Sequence, residues 1–143
     1  MRILAVDYGD ARTGLAICDP GEQLASPLGT ICQRDPEKTA EAAAKAALEA
    51  GARRIVVGNP INMDGTAGER SQACRDFAAL LEQKSGLPVV LWDERGTTVT
   101  AARYLNVTDT RGKKRKKVID AVAATIILES YLVWRKNHRE EGE

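Results

Sequence analysis

The stretch Ile3-Leu4-Ala5-Val6-Asp7-Tyr8-Gly9-Asp10-Ala11-Arg12-Thr13-Gly14-Leu15-Ala16-Ile17-Cys18 decides how this chain is read. Ile3 to Val6 is a continuous apolar run, as expected of a central strand buried on both faces. It ends on an acid, Asp7, where an ordinary core strand would not put one. Tyr8-Gly9-Asp10 is turn material, and Thr13 to Cys18 predicts a second strand. Leu24 to Cys32 predicts a third, interrupted at Pro27. The short spacings make these three an antiparallel meander.

Beyond the meander the pattern changes to alternating helix and strand. Asp35-Pro36-Glu37 is a cap followed by proline at the first helical position. An alanine-rich helix then runs to Ala50 and stops at Gly51. Arg54 to Val57 is a strand. Gly58-Asn59-Pro60 opens a loop that continues through Asn62-Met63-Asp64-Gly65. Thr66-Ala67-Gly68-Glu69 fits a capping box, with a helix to about Lys84 and Gly86 behind it. Pro88 to Trp92 is a strand with Asp93-Glu94 at its end. Thr97 or Thr98 caps a short helix to about Leu105. A basic loop follows, and then a last helix from about Val118 to Asn137. The order βββαβαβαα predicts an α/β fold: a five-stranded mixed sheet, three antiparallel meander strands then parallel ones, with helices on its faces. That is the RNase H-like arrangement.

A chain of 143 residues suits one domain, taken here as residues 1–138 with a charged tail at 139–143. No apolar run approaches the roughly 20 residues that span a bilayer. The acid at position 7 ends the N-terminal run too early for a signal peptide, so a cytoplasmic protein is expected. Cys18, Cys32 and Cys74 form no CxxC pair and read as reduced, buried thiols. With His138 the single histidine, a structural zinc site is excluded. The net charge of +1 hides an asymmetry. Arg111-Gly112-Lys113-Lys114-Arg115-Lys116-Lys117 holds six of the 21 basic residues and leaves 15 basic against 20 acidic elsewhere. Such a run is either a solvated loop or a loop that contacts phosphates, since lysine and arginine displace counterions from nucleic acid.

Acids stand at three places where a core would not put them. Asp7 follows one apolar strand, Asp93-Glu94 ends another, and Asp120 starts the last helix. On that helix Asp120, Ala123, Ala124, Ile127, Tyr131 and Trp134 fall on one face. Asp120 therefore heads the stripe that packs on the sheet, where two alanines permit close approach. Burying several carboxylates together is costly. A divalent cation removes the cost, because magnesium takes oxygen ligands and paired ions can activate a water for phosphodiester cleavage. The plainer account makes each acid a cap or the partner of a nearby arginine, such as Asp7 with Arg12.

Four blocks then resemble the YqgF/RuvX family, whose members are described as Holliday junction resolvases and as pre-16S rRNA nucleases. They are Val6-Asp7-Tyr8-Gly9 with Arg12-Thr13-Gly14-Leu15-Ala16; Val57-Gly58-Asn59-Pro60 with Asn62-Met63-Asp64-Gly65-Thr66; Trp92-Asp93-Glu94-Arg95 with Thr97-Thr98-Val99; and Ile119-Asp120-Ala121-Val122-Ala123-Ala124 with Ile127-Leu128 and Tyr131-Leu132. The resemblance implies an RNase H-like fold and a nuclease dependent on Mg2+ or Mn2+. Carried over by position, Asp7, Glu94 and Asp120 are the catalytic and metal-binding acids. Asp93 is the stand-in for Glu94, since neighbouring strand residues point to opposite faces. Gly96 and Asn59 stand where the family usually has apolar residues.

The resemblance also implies 5′-end maturation of pre-16S rRNA, with four-way DNA junctions as the alternative substrate. Partners would be pre-rRNA or other structured RNA, ribosomal precursor particles or junction DNA, with no membrane. The protein would be a monomer or homodimer. Arg12 or Arg95 could stabilise charge on a phosphate, or equally orient a carboxylate. Lys113, Lys114, Arg115, Lys116 and Lys117, directly before Asp120, read as a substrate-contacting loop. Asn62 to Gly65 precede a helix N-terminus that could hold phosphate, or form only a well-capped turn. Aromatic residues make up 4% of the chain, which argues against extensive base stacking, and Trp92 and Trp134 read as core residues. Two other classes compete: an ATP-binding protein of the actin, chaperone and sugar-kinase type, and a non-catalytic RNA-binding assembly factor.

Overall fold

The computed structural model describes residues 1–60, 69–94 and 112–142, with side chains at all of these except 60, 69, 70, 93, 94, 112–120 and 139–142. Five strands form one sheet: β1 (Arg2–Asp7), β2 (Arg12–Cys18), β3 (Ala25–Cys32), β4 (Ala52–Pro60) and β5 (Val89–Glu94). Their order is β3-β2-β1-β4-β5. β1, β2 and β3 pair antiparallel, whereas β4 and β5 run parallel to β1. Three helices complete the described fold: α1 (Pro36–Glu49), α2 (Glu69–Ser85) and α3 (Gly112–Gly142). The mixed sheet with helices on both faces is the expected RNase H-like arrangement.

Each face of the sheet has its own core. On one side Ala40, Ala43, Ala44 and Ala47 of α1 join Cys74, Phe77, Ala78 and Leu81 of α2 over Leu4, Val6, Leu15, Ile55 and Val57. On the other, Ala124, Ile127, Leu128, Tyr131 and Leu132 of α3 cover Ile3, Ala5, Ala16, Cys18 and Val56. The helical spacing of three and four in both sets is why the chain forms helices there. Asp35 caps α1 by accepting the Glu37 amide at 3.0 Å. Gly51 and Gly86, at φ +77° and +70°, close α1 and α2 in the left-handed conformation that glycine tolerates. Lys84 of α2 bridges Glu37 and Glu41 of α1 at 3.5 and 3.2 Å.

Several boundaries differ from expectation. β4 does not end at Val57. It continues as strand through Gly58, Asn59 and Pro60, which pair with Trp92, Asp93 and Glu94. Parallel pairing with β5 overrides the turn propensity of Gly-Asn-Pro. β3 runs past Pro27 with a register shift opposite Leu15 and Ala16, a bulge that fits a residue lacking a ladder donor. α3 begins at Gly112 rather than near Val118, so Lys113 to Lys117 of the basic run are helix and not loop; Arg111 lies outside the described residues. Lysine and arginine are good helix formers, but a run of like charge has no apolar period to announce the helix. α3 also continues to Gly142, through the residues read as a charged tail. Cys18 and Cys74 are buried as expected, but Cys32 is exposed on the edge strand. The helix expected from Thr97 or Thr98 to Leu105 lies outside the described residues, as does the start of the capping box.

The turn between β2 and β3 is pinned to α3 by a buried ion pair. Asp19 Oδ1 accepts the Gln23 and Leu24 amides at 2.7 and 2.8 Å, and these amides hold the Asp19 carboxyl below its usual range. Glu22 sits at φ 58°, and its carboxylate accepts Arg135 Nε at 2.6 Å, with the side chains 6% and 8% exposed. The hydrogen bond to Glu22 raises the Arg135 pKa and keeps the guanidinium charged. Glu22 also accepts the Met1 ammonium at 3.1 Å, so replacing Arg135 with Met removes one of two charged partners. The variant should lose about 1–3 kcal/mol of stability, seen as a lower denaturant midpoint with an unchanged slope.

Candidate functional site

Strand parity decides which side chains share the C-terminal ends of β1, β4 and β5. In β1, Leu4, Val6 and Tyr8 enter the α1–α2 core, and Ile3 and Ala5 enter the α3 core. Asp7 therefore belongs to the α3 face. Tyr8 locks this parity at the strand end, its ring stacked on Phe77 of α2 at 4.1 Å. Asp7 itself is half-buried.

Glycines flank Asp7 on both sides. Gly14 is its antiparallel partner in β2. In β4, Gly58 lies one residue beyond the Val6–Val57 pair and so beside Asp7. Both glycines are buried. Both share the parity of residues in the α3 core, Ala16 and Val56. On these two strands the positions directly beside Asp7 therefore carry no side chain. The hairpin glycine expected at position 9 has a separate reason: a Cβ there would overlap the Arg12 carbonyl. Gly9 N also donates to Thr13 Oγ1 at 3.3 Å, and Thr13 is fully buried.

The same parity separates the two acids of β5. Val90 and Trp92 pack toward α3, Val89 and Leu91 toward α1 and α2. Position 94 shares the register of Trp92, and position 93 that of Leu91, beside Asn59. In α3, position 120 precedes Ala124 and Ile127 by four and seven residues; both are essentially fully buried on the sheet. Of the three acids, only Asp7 has a described side chain; positions 94 and 120 are described by their backbone alone. Arg12, paired with Cys32 of β3, shares the parity of Gly14 and lies on the α3 side. Lys113, Lys114, Arg115, Lys116 and Lys117 occupy the first turns of α3, before position 120. Arg95 and the Asn62–Gly65 loop lie outside the described residues.

Two buried residues near this strand end were not singled out by sequence for what they do. Asn59, 6% exposed, accepts a hydrogen bond from Ser71 Oγ at 2.7 Å, and Ser71 is fully buried. Arg75 Nη2 donates to the same hydroxyl at 3.2 Å. The chain ties the first turns of α2 to the end of β4 on the face opposite Asp7. Its one sequence signal is a polar residue where the resembling family has an apolar one. Trp134, expected in the core, is 41% exposed, because the apolar stripe of α3 turns outward toward its C-terminal end.

Chemically, Asp7 offers oxygen donors only. Oxygen donors alone suit a hard divalent cation better than zinc.

Comparison with known proteins agrees with this geometry. Residues 1–133 match the family model described as RuvX, Holliday junction resolvase. A protein of Lachnospira eligens is 44% identical over 135 residues, covering 92% of this chain and 96% of the relative, and is named "Putative pre-16S rRNA nuclease". A protein of Halothermothrix orenii with the same name is 44% identical over 132 residues, covering 92% and 94%. Among solved structures, Thermus thermophilus RuvC superposes with a TM-score of 0.56 at 13% identity, covering 96% of this chain and 97% of that one. The fowlpox virus Holliday junction resolvase gives 0.53 at 17% identity, covering 94% and 99%. These two share the fold.

The Gly9 contact gives a direct test. Gly9→Ala must push the hairpin away from Asp7 and should cost about 1–3 kcal/mol, with a larger fractional loss of activity than of folded protein. Circular dichroism melting beside a cleavage assay checks both. Wild-type stability and activity in this variant would rule out the close approach.

Proposed function

The chain belongs to the RuvX Holliday junction resolvase family, and on that footing we propose how its residues cut a phosphodiester bond and in which substrate. It is a nuclease of RNase H-like fold. We assign its cellular substrate as pre-16S rRNA, matured at its 5′ end on ribosomal precursor particles in the cytoplasm. The relatives' shared name over nearly the whole chain supports this choice. The family match over residues 1–133 displaces the actin-like ATP-binding alternative.

Asp7, Glu94 and Asp120 are the proposed metal-binding carboxylates, and Mg2+ or Mn2+ the proposed cofactor. What supports the assignment is period: Asp7 has the parity of the α3-facing strand residues and is flanked by Gly14 and Gly58, position 94 has the register of Trp92, and position 120 lies one helical turn before the buried Ala124. When bound, such an ion lowers the pKa of water and stabilises the leaving oxygen. The chain's own residues do the rest. Asp7, on the most central strand, is the fixed anchor. The flanking glycines leave room for a phosphate to approach it. Arg12, on the same side, can offset phosphate charge. The basic run sits at a helix N-terminus, where the positive end of the macrodipole adds to five cationic side chains. Lysines and arginines there repel the helix's own positive end, and a phosphate backbone relieves that repulsion.

Junction cleavage is the second reading, favoured by the family description. It requires paired cuts and hence a symmetric dimer, whereas rRNA end maturation needs one active site per strand.

Structured RNA with a 5′ extension and four-way DNA junctions, each with Mg2+, Mn2+ or chelator, separate these readings. Asp7→Asn and Asp120→Asn should each lower kcat by about a hundredfold or more, the several kcal/mol that metal assistance supplies. Glu94→Gln should match them, and Asp93→Asn should keep most activity. Cleavage that survives chelation, or survives both aspartate changes, would falsify the metal-carboxylate mechanism. Faster turnover of the junction than of the RNA would transfer the assignment to DNA.

Changing Lys113, Lys114, Arg115, Lys116 and Lys117 to Gln should weaken substrate binding and flatten its salt dependence. The expected loss of log–log slope is about 0.7–0.9 for each phosphate contact removed. An unchanged slope would take the basic run out of the interface.

A further inference from the structure

Both tryptophans, one of the three tyrosines and the single histidine gather at one place. Trp92 of β5 meets Tyr131 edge-on at 5.5 Å and Trp134 at 5.9 Å. Tyr131 and Trp134 lie nearly parallel, 17° apart with centroids at 6.0 Å. His138 continues the series, 22° from Trp134 at 4.2 Å. Tyr131, Trp134 and His138 thus form a ladder of near-parallel rings along α3. It starts in the core, where Tyr131 is 2% exposed, and emerges with Trp134 at 41% and an exposed His138.

The ladder is held in place at each rung. Arg54 Nη1 donates to Tyr131 Oη at 3.1 Å. Trp92 Nε1 donates to Ser130 Oγ at 3.3 Å. The His138 Nδ1 lies 2.8 Å from the Trp134 carbonyl oxygen, which orients the ring. A rigid ring series that ends in water presents a π face already paid for in side-chain entropy. An unstacked nucleobase fits such a face.

Charge decides between a base and an apolar protein partner. Among the described residues Arg54 has no carboxylate partner; its one hydrogen bond goes to Tyr131, and its Nε is buried without an acceptor. A guanidinium beneath an aromatic cluster, with an imidazole at the outer end, suits a phosphate-linked base and not a purely apolar side chain. The ladder shares its two elements, β5 and α3, with the proposed site. Trp92 lies two residues before Glu94 on β5, and α3 carries both Asp120 and the ladder, about 27 Å apart from position 120 to position 138 at helical rise.

We propose that Tyr131, Trp134 and His138 form a stacking site for unpaired bases of a single strand that flanks the scissile phosphate. The inference rests on the nuclease reading for its purpose, but not for its test. The stack recognises bases whether the sugar is ribose or deoxyribose, so RNA and DNA strands of one sequence serve as parallel probes.

Binding is measured with chelator present, so cleavage plays no part. The probes are a single strand of about 12 nucleotides, within the span of known single-strand sites, and a blunt duplex of the same length. His138→Ala and Trp134→Leu should each weaken single-strand binding by about fivefold or more, the range of one lost base stack. Trp134→Phe should restore most of it, and duplex binding should not change. With a flanked substrate the variants should raise KM and leave kcat, and a substrate without the flank should not respond.

His138 is exposed, so its removal tests the site even where Trp134→Leu unfolds. Single-strand affinity unchanged in His138→Ala, or changed equally for single strand and duplex, overturns the proposal. So does unchanged affinity in a Trp134→Leu protein that has shifted from dimer to monomer by sedimentation, since a second copy would then be the occupant. Ladder-dependent binding in a protein that cuts nothing would keep the site and remove the nuclease reading. Cutting by a protein indifferent to the ladder would do the reverse.

Discussion

The structure depends on β1 being closed in on every side except its C-terminal end. It pairs antiparallel with β2 and parallel with β4, and Ile3, Leu4, Ala5 and Val6 are fully buried between two helical layers. A charge cannot be tolerated within that run without a partner. The first place one fits is where the strand leaves the core, at Asp7. Everything else in the site is located relative to that point. β4 and β5 extend parallel beyond it, and glycines at 14 and 58 stand beside it on the neighbouring strands. Removing the buried pairing of β1 would displace all of these at once.

Much of this was legible in the sequence because burial and period speak together there. The uninterrupted apolar run of Ile3 to Val6 could only be a central strand. The proline after Asp35 and the glycines at 51 and 86 marked helix ends by backbone chemistry that no tertiary contact overrides. The stripe from Ala123 to Tyr131 identified the face of α3 that meets the sheet, and with it the register of position 120. What remained open was parity in β5, because a short apolar strand of Val-Val-Leu-Trp is hydrophobic on both faces. The two separate cores, with Val90 and Trp92 in one and Leu91 in the other, fix the parity of the strand as far as Trp92.

The misread boundaries share a cause: local signals that tertiary pairing overruled. Gly58-Asn59-Pro60 has the composition of a turn, yet partners in β5 keep it extended. A buried glycine at 58 reads locally as a breaker and functions as space. The basic run carries no apolar period, so nothing in its local sequence announces a helix. Trp134 was placed inside by its position on the stripe. A straight helix extending beyond the sheet must carry its apolar stripe into solvent, and composition alone does not show where the sheet ends.

These misreadings point to one division of labour along α3. Its first turns hold five cations at the positive end of the helix dipole, an arrangement that destabilises an isolated helix. Its middle turns, rich in alanine, press onto the sheet and carry position 120 with them. Its last turns hold rings that the core does not need. A helix selected for stability alone would have neither the cationic start nor the exposed aromatic end. On the proposed reading, a single strand laid along α3 would meet cations, then the proposed metal-binding acids, then the proposed stacking face, in the order that binding, cutting and holding the flank require. The two features least favourable to the helix by itself are therefore the two that a nucleic-acid substrate would compensate.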